Sequence, residues 1–103
     1  MKASYELAVI KQLVSQERYR ITVTALETAA LMGLDDESIV ECIVEQLAEM
    51  HFYKTMRAKT VPGLMQDVYK ISFEGHRLYV KLQINRSQTA VVVSFKQDES
   101  VVE

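Results

Sequence analysis

The chain changes its hydrophobic period near residue 51, and nothing else in it restricts the fold so sharply. Before that point apolar residues recur at helical spacing; beyond it they alternate with polar ones. A helix of the first kind presents one apolar stripe, and a strand of the second kind presents two unlike faces. With 103 residues the chain has material for one domain, 1–103, and one shared core. The fold class expected is therefore α+β, with N-terminal helices packed on one face of a C-terminal antiparallel β-sheet.

Residues 4–16 set Leu7, Ile10, Leu13 and Val14 along one side, with Ser4 placed to cap the helix. Residues 19–23 alternate briefly and suit a short strand. Thr24-Ala25-Leu26-Glu27 fits a capping box at the next helix start, and Gly33 suits the left-handed residue that ends it. Asp35 or Asp36 then caps a third helix with the stripe Ile39, Val40, Ile43, Val44, Leu47 and Ala48. Its opposite side carries Glu37, Glu41, Glu45 and Glu49 at spacings of four, a mutually repelling row. Such a row suits a solvated face, or an acidic wall turned toward a basic partner.

Strands are expected at 51–57, 66–73, 77–85 and 89–97. The loop 58–64 carries the turn signal Pro62-Gly63. The short links 74–76 and 86–88 imply an antiparallel meander. Parity places Leu78, Val80, Leu82 and Ile84 on one face, and Tyr79, Lys81 and Gln83 on the other. The simplest assembly turns Val80, Leu82, Val93 and Phe95 toward the helices. Tyr79, Lys81, Ser94 and Lys96 then line an open face, which Lys54 and Gln66 can join.

Composition removes several classes of function. No apolar run approaches the roughly 18 residues of a membrane span. The single cysteine, Cys42, has no internal disulfide partner, and a cytoplasmic home is expected. One cysteine with two distant histidines, His51 and His76, does not make a zinc site, and neither a metal nor a cofactor is expected. P-loop, dinucleotide and serine-nucleophile motifs are absent. Charge is unevenly spread. Residues 1–50 hold four basic and nine acidic side chains, whereas residues 51–97 hold eight basic and two acidic. A polyanion responds to that local field of +6 rather than to the whole-chain charge of −2, because salt screens beyond about 8–10 Å. Residues 98–103 are expected to form a mobile acidic tail.

A polar sheet face with lysines is also what solubility and protection of sheet edges require, so these patterns alone leave a merely soluble sheet open. The order of four blocks adds more. Phe52-Tyr53-Lys54-Thr55-Met56, Gln66-Asp67-Val68-Tyr69, Leu78-Tyr79-Val80-Lys81-Leu82 and Val91-Val92-Val93-Ser94-Phe95-Lys96 together resemble the MqsR family of toxins from bacterial toxin–antitoxin systems. Met65 stands where that family usually has a tryptophan.

The resemblance implies a RelE-like fold and a ribosome-independent mRNA interferase. Members cut single-stranded RNA at short, G/C-containing sequences without a metal, and are inhibited by a cognate antitoxin, here expected to be a DNA-binding protein. The family's functional positions fall on Lys54, Gln66, Tyr79 and Lys96, which become the expected catalytic residues. Arg57, Lys81, Ser94 and Tyr53 become the expected RNA contacts. Lysines can stabilise a phosphorane, and Lys54 or Lys96, with a pKa lowered by mutual repulsion, could move a proton. Tyr79 offers a phenol, and Gln66 an amide that can orient a phosphate oxygen or read a base edge. A catalytically inactive binding module of this fold, or a ribosome-dependent nuclease of the RelE type, are the alternatives.

Overall fold

In the computed structural model, which describes residues 1–99, helix α1 (Leu7–Ser15) begins three residues after the expected cap. Ser4 does not cap it. The Ser4 and Tyr5 amides instead donate to the two oxygens of Asp67, each at 2.9 Å. A fully buried carboxylate needs such partners, and hydrogen bonds to a charged group contribute roughly 1.5–3 kcal/mol each. The Tyr5 hydroxyl donates to the Met65 carbonyl at 2.7 Å, so residues 4–5 strap the N-terminus to the third strand. Burial is the chief reason that the Tyr5 phenol lies above its ordinary pKa.

The second helix, α2 (Val23–Ala30), is capped by Thr22 rather than Thr24: the Thr22 hydroxyl accepts the Ala25 amide at 3.0 Å. Gly33, at φ +76°, ends the segment as expected, with the Leu34 amide donating back to Ala29. Asp35 caps α3 (Asp36–Glu41) through the Ser38 amide. That helix is shorter than its stripe suggested. It widens into one π turn, Cys42–Gln46, and Leu47 is already extended. A 3₁₀ turn, Glu49–His51, leads into the sheet, fixed by the Ala48 amide donating to His51 Nδ1 at 2.9 Å.

The strands are β1 (Tyr19–Ile21), β2 (Phe52–Arg57), β3 (Met65–Phe73), β4 (His76–Ile84) and β5 (Ala90–Gln97). They form one sheet in the order β1-β5-β4-β3-β2. The four C-terminal strands are the expected antiparallel meander, while β1 adds to β5 in parallel and makes the sheet mixed. The β3–β4 hairpin turns on Glu74 and Gly75, both at positive φ. That is the two-residue turn whose twist suits paired strands.

The helices cover one face. Ile10, Ile39, Ile43 and Leu47 meet Tyr69, Leu78, Val80, Leu82, Val92 and Phe95 in a single cluster. Each such side chain contributes roughly 1.5–3 kcal/mol by leaving water. One expectation fails here. Val93 is not part of that cluster, and Ala90 and Val92 take its place. The cause is a β-bulge: Lys81 pairs with Ser94 and Leu82 with Val92, leaving Val93 as an extra residue. The Val93 carbonyl is held by the Thr22 hydroxyl at 3.0 Å, and α2 is pinned again where Thr28 donates to the Phe95 carbonyl at 2.7 Å. The bulge lets Val92 and Phe95, three apart, both face the helices.

The expected tail begins under restraint. Asp98 donates its amide to the Arg77 carbonyl at 2.7 Å and its carboxylate meets Lys70 at 3.4 Å. Residues 100–103 of that expected tail lie outside the described residues. Among the described residues no helix is long and apolar enough to cross a membrane.

Candidate active site on the open face of the sheet

Strand register arranges the uncovered face in three rows. Lys70, Tyr79 and Lys96 are paired across β3, β4 and β5. Next come Lys54, Val68, Lys81 and Ser94 across four strands. The third row joins Met56 to Gln66, Gln83 to Val91, and Val91 to Arg20 on β1. Gln66 and Gln83 close that row through Gln66 Nε2 donating to Gln83 Oε1 at 2.8 Å. Val68 and Val91 are buried yet stand outside the helix-side cluster, as an apolar floor beneath long polar side chains must.

A second bulge determines what β2 contributes. Phe52 pairs with Tyr69 and Lys54 with Val68, so Tyr53 is the extra residue. In a regular strand Phe52 and Lys54 would share a face. The bulge sends Phe52 to the core, edge-on to Tyr69 with ring centres 5.7 Å apart, and turns Lys54 outward. Tyr53 stays exposed, with the Lys70 ammonium 4.0 Å from its ring centre and that of Lys54 at 5.7 Å. Tyr79 has a similar pair of cations, Lys96 at 5.1 Å and Lys81 at 5.8 Å. Contacts of this kind contribute about 0.5–1 kcal/mol near a surface.

The face thus brings together seven of the eight residues singled out in the sequence: Lys54, Gln66, Tyr79, Lys96, Lys81, Ser94 and Tyr53. Arg57 is the exception. It pairs with Met65 and has the parity of Thr55, which turns it to the other side of β2. Lys54 and Lys96 are not neighbours either. Three strand spacings separate β2 from β5, about 14 Å between backbones. Lys81 lies between them. Its ammonium is pushed below its ordinary range first by burial and then by Lys96, Lys59 and Lys54. The Tyr79 phenol is pushed up, chiefly by burial and then by Tyr53 and Asp98.

Lys70 is a further cation of the face that the sequence reading passed over, although it shares the parity of Gln66 and Val68 and could have been found that way. Asp67, quoted only as part of a motif, works from the opposite face by fixing the N-terminal strap behind Gln66 and Val68. Among the described residues no group of three or more His, Cys, Asp or Glu side chains could hold a metal ion. The arrangement can bind an anion with several lysines, offer a phenol that holds its proton more firmly than a free one, and present one lysine that gives up its proton more readily than a solvated one.

Comparison with known proteins agrees with the likeness drawn from the four strand blocks. Over 91 residues, 88% of this chain and 90% of the relative, the sequence is 32% identical to the mRNA interferase toxin MqsR of Escherichia coli (strain K12). The sequence model of the family described as "Motility quorum-sensing regulator, toxin of MqsA" matches residues 2–97. That span runs from before the Asp67-held strap to the last residue of β5 and takes in every side chain of the three rows, so this chain belongs to the MqsR toxin family.

Proposed function

We propose that the chain is an mRNA interferase toxin that cleaves single-stranded RNA, without ribosomes, by metal-independent acid–base chemistry. The observation that carries this is the convergence of Lys54, Lys81, Lys96, Tyr79 and Gln66 on one uncovered face. The RNA's own 2′-OH is the nucleophile. As its oxygen bonds to the adjacent phosphorus, its proton passes to a base. The bond to the 5′-oxygen breaks, and that oxygen takes a proton from an acid, leaving a 2′,3′-cyclic phosphate and a 5′-hydroxyl. Lys81, with its depressed ammonium, suits the base, and Tyr79, whose phenol stays protonated, suits the acid. Lys54 and Lys96 stabilise the phosphorane from either side, and Gln66 orients a phosphate oxygen. Tyr53 and Ser94 hold neighbouring nucleotides, the former by stacking. A cognate antitoxin, a DNA-binding protein, keeps the activity in check, and the cytoplasm is where both act.

Purified chain incubated with structureless RNA in EDTA is expected to yield fragments ending in 2′,3′-cyclic phosphate. Lys54→Ala and Tyr79→Phe should each slow this by about 100-fold or more. RNA that is bound but stays intact identifies a non-catalytic binding module, and cutting only when ribosomes are added identifies a ribosome-dependent nuclease.

A further inference from the structure

The third row does not stop at Gln66. Gln83, which accepts from Gln66, donates through Nε2 to Asn85 Oδ1 at 2.7 Å. The three amides form a directed chain with an acceptor, Gln66 Oε1, at the catalytic end and a donor, Asn85 Nδ2, at the other. Among the described residues that nitrogen has no acceptor. The far end opens on a cleft of about 730 Å³. Val61, Pro62 and Leu64 of the β2–β3 loop form one wall, and Gln83, Asn85 and Arg86 the other. Arg20, the last member of the row, reaches the same space from β1.

Both walls are held by the backbone. Leu64 donates to Val61 at 3.3 Å and Ala58 to Leu64 at 2.8 Å, while Asn85 donates to Thr89 and receives from Gln88, each at 2.9 Å. The Val61 side chain nevertheless stays 44% exposed, an apolar surface left open beside two guanidiniums. An apolar wall, a planar cation and a fixed hydrogen-bonding edge are what an unstacked base requires.

We propose that this cleft is a nucleobase-reading subsite, seating a base of the RNA beside the cleaved phosphate; this rests on the nuclease function proposed above. The base lies against Val61 and Pro62, and Asn85 Nδ2 with Arg86 reads its edge. Asn85 Oδ1 accepts from Gln83, which turns the Asn85 amide so that Nδ2 and the neighbouring Arg86 are the two donors offered along this wall. That pair of donors matches an edge with two adjacent acceptors, the O6/N7 edge of guanine or the O2/N3 edge of cytosine. The relay through Gln83 ties recognition to Gln66, so a misfitting base disturbs the amide beside the phosphate.

A pool of randomised single-stranded RNA selected on the Tyr79→Phe chain tests this. The bound fraction should be enriched about tenfold for one base at one position, since a well-formed base contact discriminates at least that strongly. Asn85→Ala in the same background should remove the enrichment. Asn85→Asp, similar in shape but an acceptor, should redirect it to a base offering an amino group, and guanine and cytosine are told apart by which one the pool retains. No positional enrichment, or enrichment identical in Asn85→Ala, overturns the proposal. Mapping cut sites of the otherwise native chain in EDTA separates the two ideas. Cutting whose base preference survives Asn85→Ala sinks the subsite and keeps the nuclease; base selection without cutting keeps the subsite and sinks the nuclease.

Discussion

At the scale of single residues, Lys81 concentrates the electrostatics of the face. It sits in the middle row between Val68 and Ser94, and burial and three other lysines all act against its charge. Its folded pKa lies below 10.5, so it releases its proton before a solvated lysine would. Tyr79 keeps its own proton past pH 10. With Lys81 as base and Tyr79 as acid, kcat/KM, corrected for uncatalysed hydrolysis, is expected to rise with pH through a Lys81 pKa that lies below 10.5 and to fall through a Tyr79 pKa that lies above 10. Lys81→Arg retains the charge but not the titration. It should erase the rising limb and lower the rate by about 100-fold; a native pH–rate profile in that variant would assign the base elsewhere. This part of the site was hard to read in the sequence. Lysines at Lys54 and Lys96 invite pairing, but only strand order reveals that Lys81 is the one enclosed by the others.

At the scale of elements, β5 is built against α2. The Thr22 hydroxyl accepts the Ala25 amide and donates to the bulged Val93 carbonyl, so one side chain caps a helix and braces a strand. Thr22→Ala is expected to lower stability by about 1–2 kcal/mol in urea denaturation. Thr24→Ala, on the exposed side of α2, should change it by less than about 0.5 kcal/mol. Equal effects would mean that the cap was misplaced. Among the described residues, sequence periodicity found the three helices and the five strands, most of which bury one regular side. It missed local chemistry decided by distant partners. Ser4 looked like a cap until Asp67 claimed its amide, and the stripe through Ala48 hid the π turn that ends the third helix early. Strand parity likewise placed Ser94 and Lys96 correctly but misassigned Val93, because an added residue leaves no mark on an all-valine run.

At the scale of the whole molecule, two groups in the core store alkaline sensitivity. Burial, reinforced by Asp67 and Glu49, pushes the Tyr69 phenol up to about 12, and burial with Glu41 pushes the Cys42 thiol up to about 12. Between pH 10 and 12 the unfolded chain has given up the Tyr69 proton while the native chain keeps it. The native state then binds more protons, and stability falls as pH rises. The Tyr69 share is about 3 kcal/mol across that window. Denaturation midpoints measured at pH 8, 10 and 11 should fall progressively, and Tyr69→Phe should flatten the part above pH 10; an unaltered slope would place the sensitivity in other groups. The two bulges carry a different consequence. Each works on the sheet as a one-letter insertion works on a reading frame, exchanging inside for outside for every position beyond it. Tyr53 does so in β2 and Val93 in β5, from opposite margins of the face. Straightening either strand with its added letter still in place would carry Lys54 or Lys96 toward the oily interior, whereas deleting Tyr53 or Val93 would leave both outward in regular alternation. The outward set of Lys54 and Lys96 therefore depends on the kinks kept at Phe52–Lys54 and Val92–Ser94, and not on the length of the 58–64 loop between the strands.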